Sequence, residues 1–204
     1  FEESLLAKKR KLNSISVYLR TLRAIYNQAI KDKIALESMY PFKEVKIKNE
    51  VTSKRAISKE DIIKIKKLDL EPGSELDKAR DYFLFSFNMR GMSFVDMAFL
   101  KNSDIIDGRL QYARKKTGQK ISIKITPEAE AIIKKHSYSN SPEDFIFKII
   151  DRKGKEYLDY RNALRLTNKK LRLIGEMAKC SIRVSTYVSR HSWSTIEKRA
   201  GVST

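Results

Sequence analysis

Thr186-Tyr187-Val188-Ser189-Arg190-His191-Ser192-Trp193-Ser194-Thr195 is the stretch whose reading decides the fold. It sets an arginine directly before one of only two histidines, at the start of a segment that reads as a helix. An Arg there adds its charge to the positive end of the helix dipole, which is a good place to hold a phosphate. A second arginine, Arg90, lies far upstream in Asn88-Met89-Arg90-Gly91-Met92-Ser93, just after an apolar helical run. Guanidinium forks suit phosphate oxygens, so Arg90 and Arg190 read as two halves of one phosphate clamp.

The charge of the whole chain agrees. Its 204 residues, enough for one or two domains, carry a net charge of +18. Residues 1–52 hold 11 basic and 6 acidic side chains, residues 53–150 hold 19 and 14, and residues 151–204 hold 13 and 5. The excess is spread rather than gathered in a tail, which points to a folded basic surface facing a polyanion. No apolar run approaches the roughly 20 residues of a membrane span, so no membrane partner is expected. The single cysteine, Cys180, allows no internal disulfide and fits a reducing compartment. One Cys and two separated His give no metal constellation, and no cofactor is expected. Phe1 is not an initiator Met, so the chain reads as a piece of a longer protein.

Outward from these arginines the pattern is mostly helical. Asn13 and Ser14 are candidate caps for a helix with Ile15, Tyr18, Leu19, Leu22, Ile25, Tyr26 and Ile30 at 3.6-residue spacing. Arg20 and Arg23 lie off that stripe and are candidate DNA contacts. Pro41-Phe42 breaks the helix, and residues 43–55 read as a charged linker, with a domain boundary near residue 52. Ser58, Ser74 and Thr126-Pro127 mark further helix starts. Asp107-Gly108 between Ile105-Ile106 and Leu110-Gln111-Tyr112 predicts a hairpin, and alternating Ile121, Ile123 and Ile125 predict a third strand. The expected fold is mainly α with a small antiparallel β-sheet, an α+β arrangement. The tip before the third strand, Arg114-Lys115-Lys116-Thr117-Gly118-Gln119-Lys120, carries three lysines that can reach a phosphate.

In this order the pieces resemble the tyrosine recombinase, or phage integrase, family. The matching residues are Met89-Arg90-Gly91-Met92-Ser93 with Asp96 and Leu100, then Lys115-Lys116-Thr117-Gly118, then Arg190-His191-Ser192-Trp193-Ser194-Thr195. The chain looks most like integrases of bacterial mobile elements. The resemblance implies two domains. Residues 1–52 would be the last part of a helical, SAM-like core-binding domain with its linker, and residues 53–204 a catalytic domain without its end. Together they would clamp duplex DNA, four protomers assembling on two paired sites in a bacterial cytoplasm, at the nucleoid.

It also implies a chemistry. A tyrosine breaks one DNA strand and keeps the bond energy in a 3′-phosphotyrosyl link, while arginines neutralise charge growing on the phosphate oxygens. Arg90 and Arg190 fill those arginine places. Lys116 fits the acid that protonates the leaving 5′-oxygen, with Lys115 and Lys120 as neighbouring alternatives and DNA contacts. His191 is expected beside the phosphate or in the core. Tyr187 stands where many members carry His; its hydroxyl donates a hydrogen bond or the ring packs. Ser93 stands where an acidic residue is common, and Asp96 follows as a support for Arg90. His136 reads as a solvated helix cap, and Trp193 and Ile196 as core. None of the nine tyrosines follows Arg190, so the nucleophile is expected beyond Thr204. Two alternatives stand: a non-cleaving DNA-binding protein of the same fold, and a helical DNA-binding regulator with chance motif matches.

Overall fold

The computed structural model describes residues 1–51 and 55–201. The chain divides into two compact units, Phe1–Ser53 and Lys54–Thr204. The boundary expected near residue 52 falls at residues 52–54, outside the described residues, as does Thr204.

The first unit is built on α1 (Glu2–Ala7) and α2 (Leu12–Lys31). The caps expected at Asn13 and Ser14 lie inside α2, whose N-cap is Lys11. Asn13 has another partner. Its Nδ2 donates to the Glu50 carbonyl at 3.0 Å and its Oδ1 accepts the Glu50 N–H at 2.8 Å. Further along the same helix face, Ser16 donates to the Lys48 carbonyl, Arg20 to Asn49 Oδ1 and Arg23 to the Val45 carbonyl. These residues are spaced by three or four, so one helix face presents a ladder of polar side chains. Residues 42–50 satisfy their backbone on that ladder, and the expected linker is instead an extended segment bound along α2. Tyr26, Tyr40 and Phe42 close the unit as an aromatic cluster with centroids 5.7–6.3 Å apart.

The second unit is α+β. Its helices are α3 (Lys59–Lys66), α4 (Glu75–Asn88), α5 (Phe94–Ala98), α6 (Pro127–His136), α7 (Glu156–Met177) and α8 (Thr186–Arg199). Strands β1 (Ile105–Ile106), β2 (Arg109–Ala113) and β3 (Lys120–Lys124) form one antiparallel sheet in the order β1-β2-β3. Four helix starts follow the capping rule: Ser58 accepts from Asp61 N–H, Ser74 from Asp77 N–H, Ser93 from Asp96 N–H and Thr126 from Ala129 N–H. Asp107 and Gly108 both adopt positive φ, as a two-residue hairpin turn requires.

The core gathers around α4. Phe83, Phe85 and Phe147 are fully buried, with the Phe85 and Phe147 rings edge to face at 4.8 Å. Each such ring contributes about 1.5–3 kcal/mol by burial. Helices α4 and α8 approach closely because small residues meet there. Ser189 Oγ lies 2.9 Å from Ser86 Oγ and donates to the Phe83 carbonyl at 3.2 Å, while Ser192 Oγ accepts the Ile57 N–H at 2.9 Å.

Charges inside the unit are paired. Lys135 Nζ bridges Asp77 and Asp81 at 2.7 Å each, and His136 Nε2 meets Asp81 at 3.0 Å. Burial pushes the Asp77 carboxyl up, but the Lys135 ammonium and the Gly73 N–H pull it below its ordinary value. The expectation that His136 is a solvated cap is corrected here. It lies half-buried against Tyr82 and Phe147, because Asp81 holds it there.

At the start of α7, Asp159 accepts the backbone N–H groups of Asp151 and Arg152 and pairs with the Arg152 guanidinium. The Arg152 bond, above all, lowers its carboxyl to about 2. A depressed carboxyl stabilises the fold above its unfolded value, near 3.9, and that stability is lost as pH falls through the folded value. Melting temperature is therefore expected to drop between about pH 4 and 2, and Asp159→Asn to flatten that part of the curve. An unchanged acid limb in Asp159→Asn would place the acid sensitivity elsewhere.

Candidate active site and nucleic-acid interface

Arg90 sits in a turn that α4 cannot continue. Met89 is fully buried at the end of the helix, and Arg90 and Gly91 then take left-handed φ values of 56° and 67°. Ser86 closes the turn: its Oγ donates to the Met92 carbonyl at 2.7 Å and its carbonyl accepts the Met92 N–H at 3.1 Å. Two buried methionines, Met89 and Met92, flank the turn while the Arg90 side chain stays exposed. Holding a non-glycine residue in this region costs of order 1–3 kcal/mol, a strain that concentrates at functional sites.

Arg190 reaches this turn from α8. A Cβ added to Gly91 would stand 2.8 Å from the Arg190 Cα and 3.3 Å from its Cβ and carbonyl oxygen. The backbones of residues 91 and 190 are therefore in direct contact, and Arg90 is one residue away. The neighbours of Arg190 fix its place: Val188, Ser189 and Ser192 are buried on the α4 side.

The sheet lies close to the same site. Burial, and then the Asp96 charge, push the Tyr112 hydroxyl up to about 12, while Arg114 and Arg190 pull the other way. The strand after Tyr112 leads into the lysine tip, where Gly118 takes φ 69° and its N–H donates to the Arg114 carbonyl at 2.8 Å. Lys115 is held at this tip. Its N–H donates to Asp96 Oδ1 at 2.9 Å, and its ammonium sits 4.3 Å from the Phe99 ring centroid. Lys116 and Lys120 are exposed, and neither makes an ion pair among the described residues.

Asp96 corrects one expectation. Its buried carboxylate accepts from Ser93 Oγ at 2.6 Å and from Lys115 N–H, and lies 3.9 Å from the Arg114 Nε. It steadies the hairpin tip rather than Arg90. Sequence reasoning passed over Arg114, half-buried here with its Nε lacking a hydrogen-bond partner among the described residues. The signal was present, since Arg114 ends an alternating strand beside two lysines.

On α8, Tyr187 and His191 are one turn apart and their rings meet edge to face at 4.3 Å. Tyr187 remains 60% exposed, so of its two readings, core packing does not apply. His191 is half-buried between that ring and the helix, and Trp193 is half-buried too. In the first unit Arg20 is exposed and bonded to Asn49. Arg23 is half-buried; its guanidinium donates to the Val45 carbonyl at 2.8 Å and lies over the Phe42 ring at 5.6 Å.

Among the described residues no cluster of His, Cys, Asp or Glu is arranged to hold a metal, and no helix is long and apolar enough to cross a membrane. Arg90 and Arg190 thus stand on adjoining stretches of backbone, and the hairpin tip carries Lys115, Lys116 and Lys120.

No family model matches the chain, and no curated protein matches it by sequence. Solved structures do. A lambda integrase fragment bound to DNA is similar with a TM-score of 0.69 at 15% identity, over 98% of this chain and 69% of that one. A lambda integrase dimer bound to a COC′ core site is similar with a TM-score of 0.68 at 16% identity, over the same shares. The likeness shows that this chain, with its helices around a three-stranded antiparallel sheet, has the overall fold of the lambda integrase fragment.

Proposed function

We propose that this chain is the DNA-binding and phosphate-activating part of a site-specific recombinase that breaks and rejoins duplex DNA through a 3′-phosphotyrosyl intermediate. The observation that supports this reading is the closeness of Gly91 to the Arg190 backbone, which sets the Arg90 turn against α8 although the two lie about a hundred residues apart. The guanidinium groups of Arg90 and Arg190 hold the scissile phosphate and neutralise charge on its non-bridging oxygens as phosphorus becomes five-coordinate. Lys116 protonates the leaving 5′-oxygen, while Lys115 is tied to Phe99 and Lys120 contacts the backbone. Tyr187 and His191 present a hydroxyl and an imidazole to the same phosphate. Similarity to DNA-bound lambda integrase structures supports duplex DNA as the partner; a tetramer on two paired sites in a bacterial cytoplasm belongs to the same proposal.

DNA affinity is expected to fall steeply with salt, with a log–log slope near −0.9 for each phosphate neutralised. About six contacts weaken binding roughly 10³-fold between 50 and 200 mM salt. A flat response, measured by fluorescence anisotropy, would argue against a phosphate-tracking surface. A second reading, a non-cleaving DNA-binding protein of this fold, is favoured by one feature. Tyr187 stands where the resemblance expects a His, and a phenol has a single oxygen where an imidazole has two ring nitrogens to take up and pass on a proton. Trapping a covalent adduct on a nicked substrate, with the natural protein that contains this chain, separates the two.

A further inference from the structure

We propose that a cavity between α4, α6 and α7 binds a free nucleoside phosphate, its ring against Tyr82 and His136 and its phosphate among three lysines. The cavity is separate from the site proposed to hold the scissile phosphate, so the two readings stand or fall independently. Tyr82 lies eight residues before Arg90, roughly 12 Å away along the helix axis.

Three observations lead there. The first is shape. The cavity measures about 470 Å³, in the size range of small-ligand pockets. Its back wall is aromatic. The Tyr82 and His136 rings lie 5.4 Å apart, tilted by 40°, and rest on Phe147 at 5.5 and 5.8 Å. Ala79 lines the cavity from α4 and Ala163 from α7, and their small side chains leave room for a flat ring.

The second is a pair of hydroxyls without partners. Thr167, on α7, lines the cavity, is only 7% exposed and makes no hydrogen bond among the described residues. Other helical hydroxyls behave differently: Thr21 and Ser192 donate to the carbonyl four residues back, at 3.0 and 2.8 Å. A hydroxyl as buried as that of Thr167 normally has a partner. The Tyr82 hydroxyl, on the same cavity, has none among the described residues either. Burial, with Glu75 and Asp81 in support, pushes it up to about 12, so it stays a donor at neutral pH. Two hydroxyls suit the polar edge of a base or sugar.

The third is charge. Four lysines line the cavity. Lys135 is committed to Asp77 and Asp81 at 2.7 Å each. Lys78 and Lys148 meet only exposed carboxylates, Glu75 at 3.1 Å and Asp151 at 3.6 Å, and such surface pairs are weak. Lys170 has no ion pair among the described residues. Ammonium groups from α4, from the loop after α6 and from α7 are thus open to one small polyanion. Lysines around an aromatic recess suit a ring that carries phosphate. A duplex keeps its bases stacked inside and has no ring to offer such a recess.

The test is calorimetric titration of the 204-residue chain with AMP, ATP, adenosine and inorganic phosphate at physiological salt, followed by photolabelling with 8-azido-AMP and peptide mapping. One AMP or ATP is expected to bind per chain, more tightly than adenosine or phosphate alone, with label on residues 78–82, 136–149 or 163–170. Ala163→Leu fills the recess without touching a charge and is expected to abolish binding. Thr167→Val keeps the shape, drops the hydroxyl and is expected to weaken binding about 2- to 12-fold. Lys170→Ala, at the surface, should weaken ATP more than adenosine whether or not the other two variants fold. Phosphate that binds as tightly as AMP would reduce the cavity to a basic patch and overturn the inference. Label on the Arg90 or Arg190 peptides would overturn it too, since the nucleotide would then sit in the phosphate site. Wild-type affinity in a folded Ala163→Leu has the same consequence. Absence of AMP and ATP binding overturns it as well and leaves the DNA-binding reading standing, because duplex binding is measured separately.

Discussion

Gly91→Ala is expected to lower the melting temperature by roughly 5–15 °C and to weaken DNA binding with it. The added Cβ meets backbone, not a flexible side-chain end: the Arg190 Cα is 2.8 Å away. Residue 91 also has φ 67°, which a β-carbon disfavours by about 1–2 kcal/mol. Overpacking adds about 1–3 kcal/mol, and a chain of this size loses about 2–4 °C per kcal/mol. To relieve the clash α8 must move away from the Arg90 turn, so the phosphate site opens. Gly73→Ala is the control, because Gly73 has φ 77° but nothing within 4 Å of an added Cβ. It carries the backbone penalty alone and should leave DNA binding intact. Equal losses in the two variants would mean that the Arg190 contact contributes nothing of its own.

Arg190→Ala is expected to reduce strand cleavage by about 10²–10³-fold while reducing binding far less. The experiment uses the natural protein that contains this chain, assayed for covalent adduct on a nicked duplex. One phosphate contact among several is a small part of affinity, and its salt slope falls by only about one unit. In the transition state the same guanidinium faces new negative charge on the phosphate oxygens, where its removal costs most. Cleavage and binding that fall in step would assign Arg190 to anchoring, and would support the non-cleaving reading.

Local chemistry made much of this fold legible in the sequence. Ser58, Ser74, Thr126 and the Asp107-Gly108 turn each act within four residues, and each does in the structure what its side chain favours. The motif arginines were legible too, and so was their pairing as one clamp; the packing that pairs them, through Ser86, Ser189 and Gly91 where α4 and α8 touch, was not. The misreadings share a cause. Asn13 was taken for a cap, Asp96 for a partner of Arg90 and His136 for a solvated end. In each case a partner far away in the chain, or across the sheet, claimed the side chain. A sequence shows which groups need partners, and tertiary packing decides which partners they find.

The contact between residues 91 and 190 also bears on when the site exists. It closes a loop of about a hundred residues, an entropic cost of roughly 4 kcal/mol that short-range turns do not carry. The Ile57–Ser192 and Phe83–Ser189 bonds close loops of similar span, so all three form together as α8 docks. Until α8 has been synthesised and has docked, Arg90 stands on its turn without Arg190 beside it. A nascent or shortened chain that lacks α8 thus carries most of the positive charge but not the pairing of the two arginines, which arrives in one folding step.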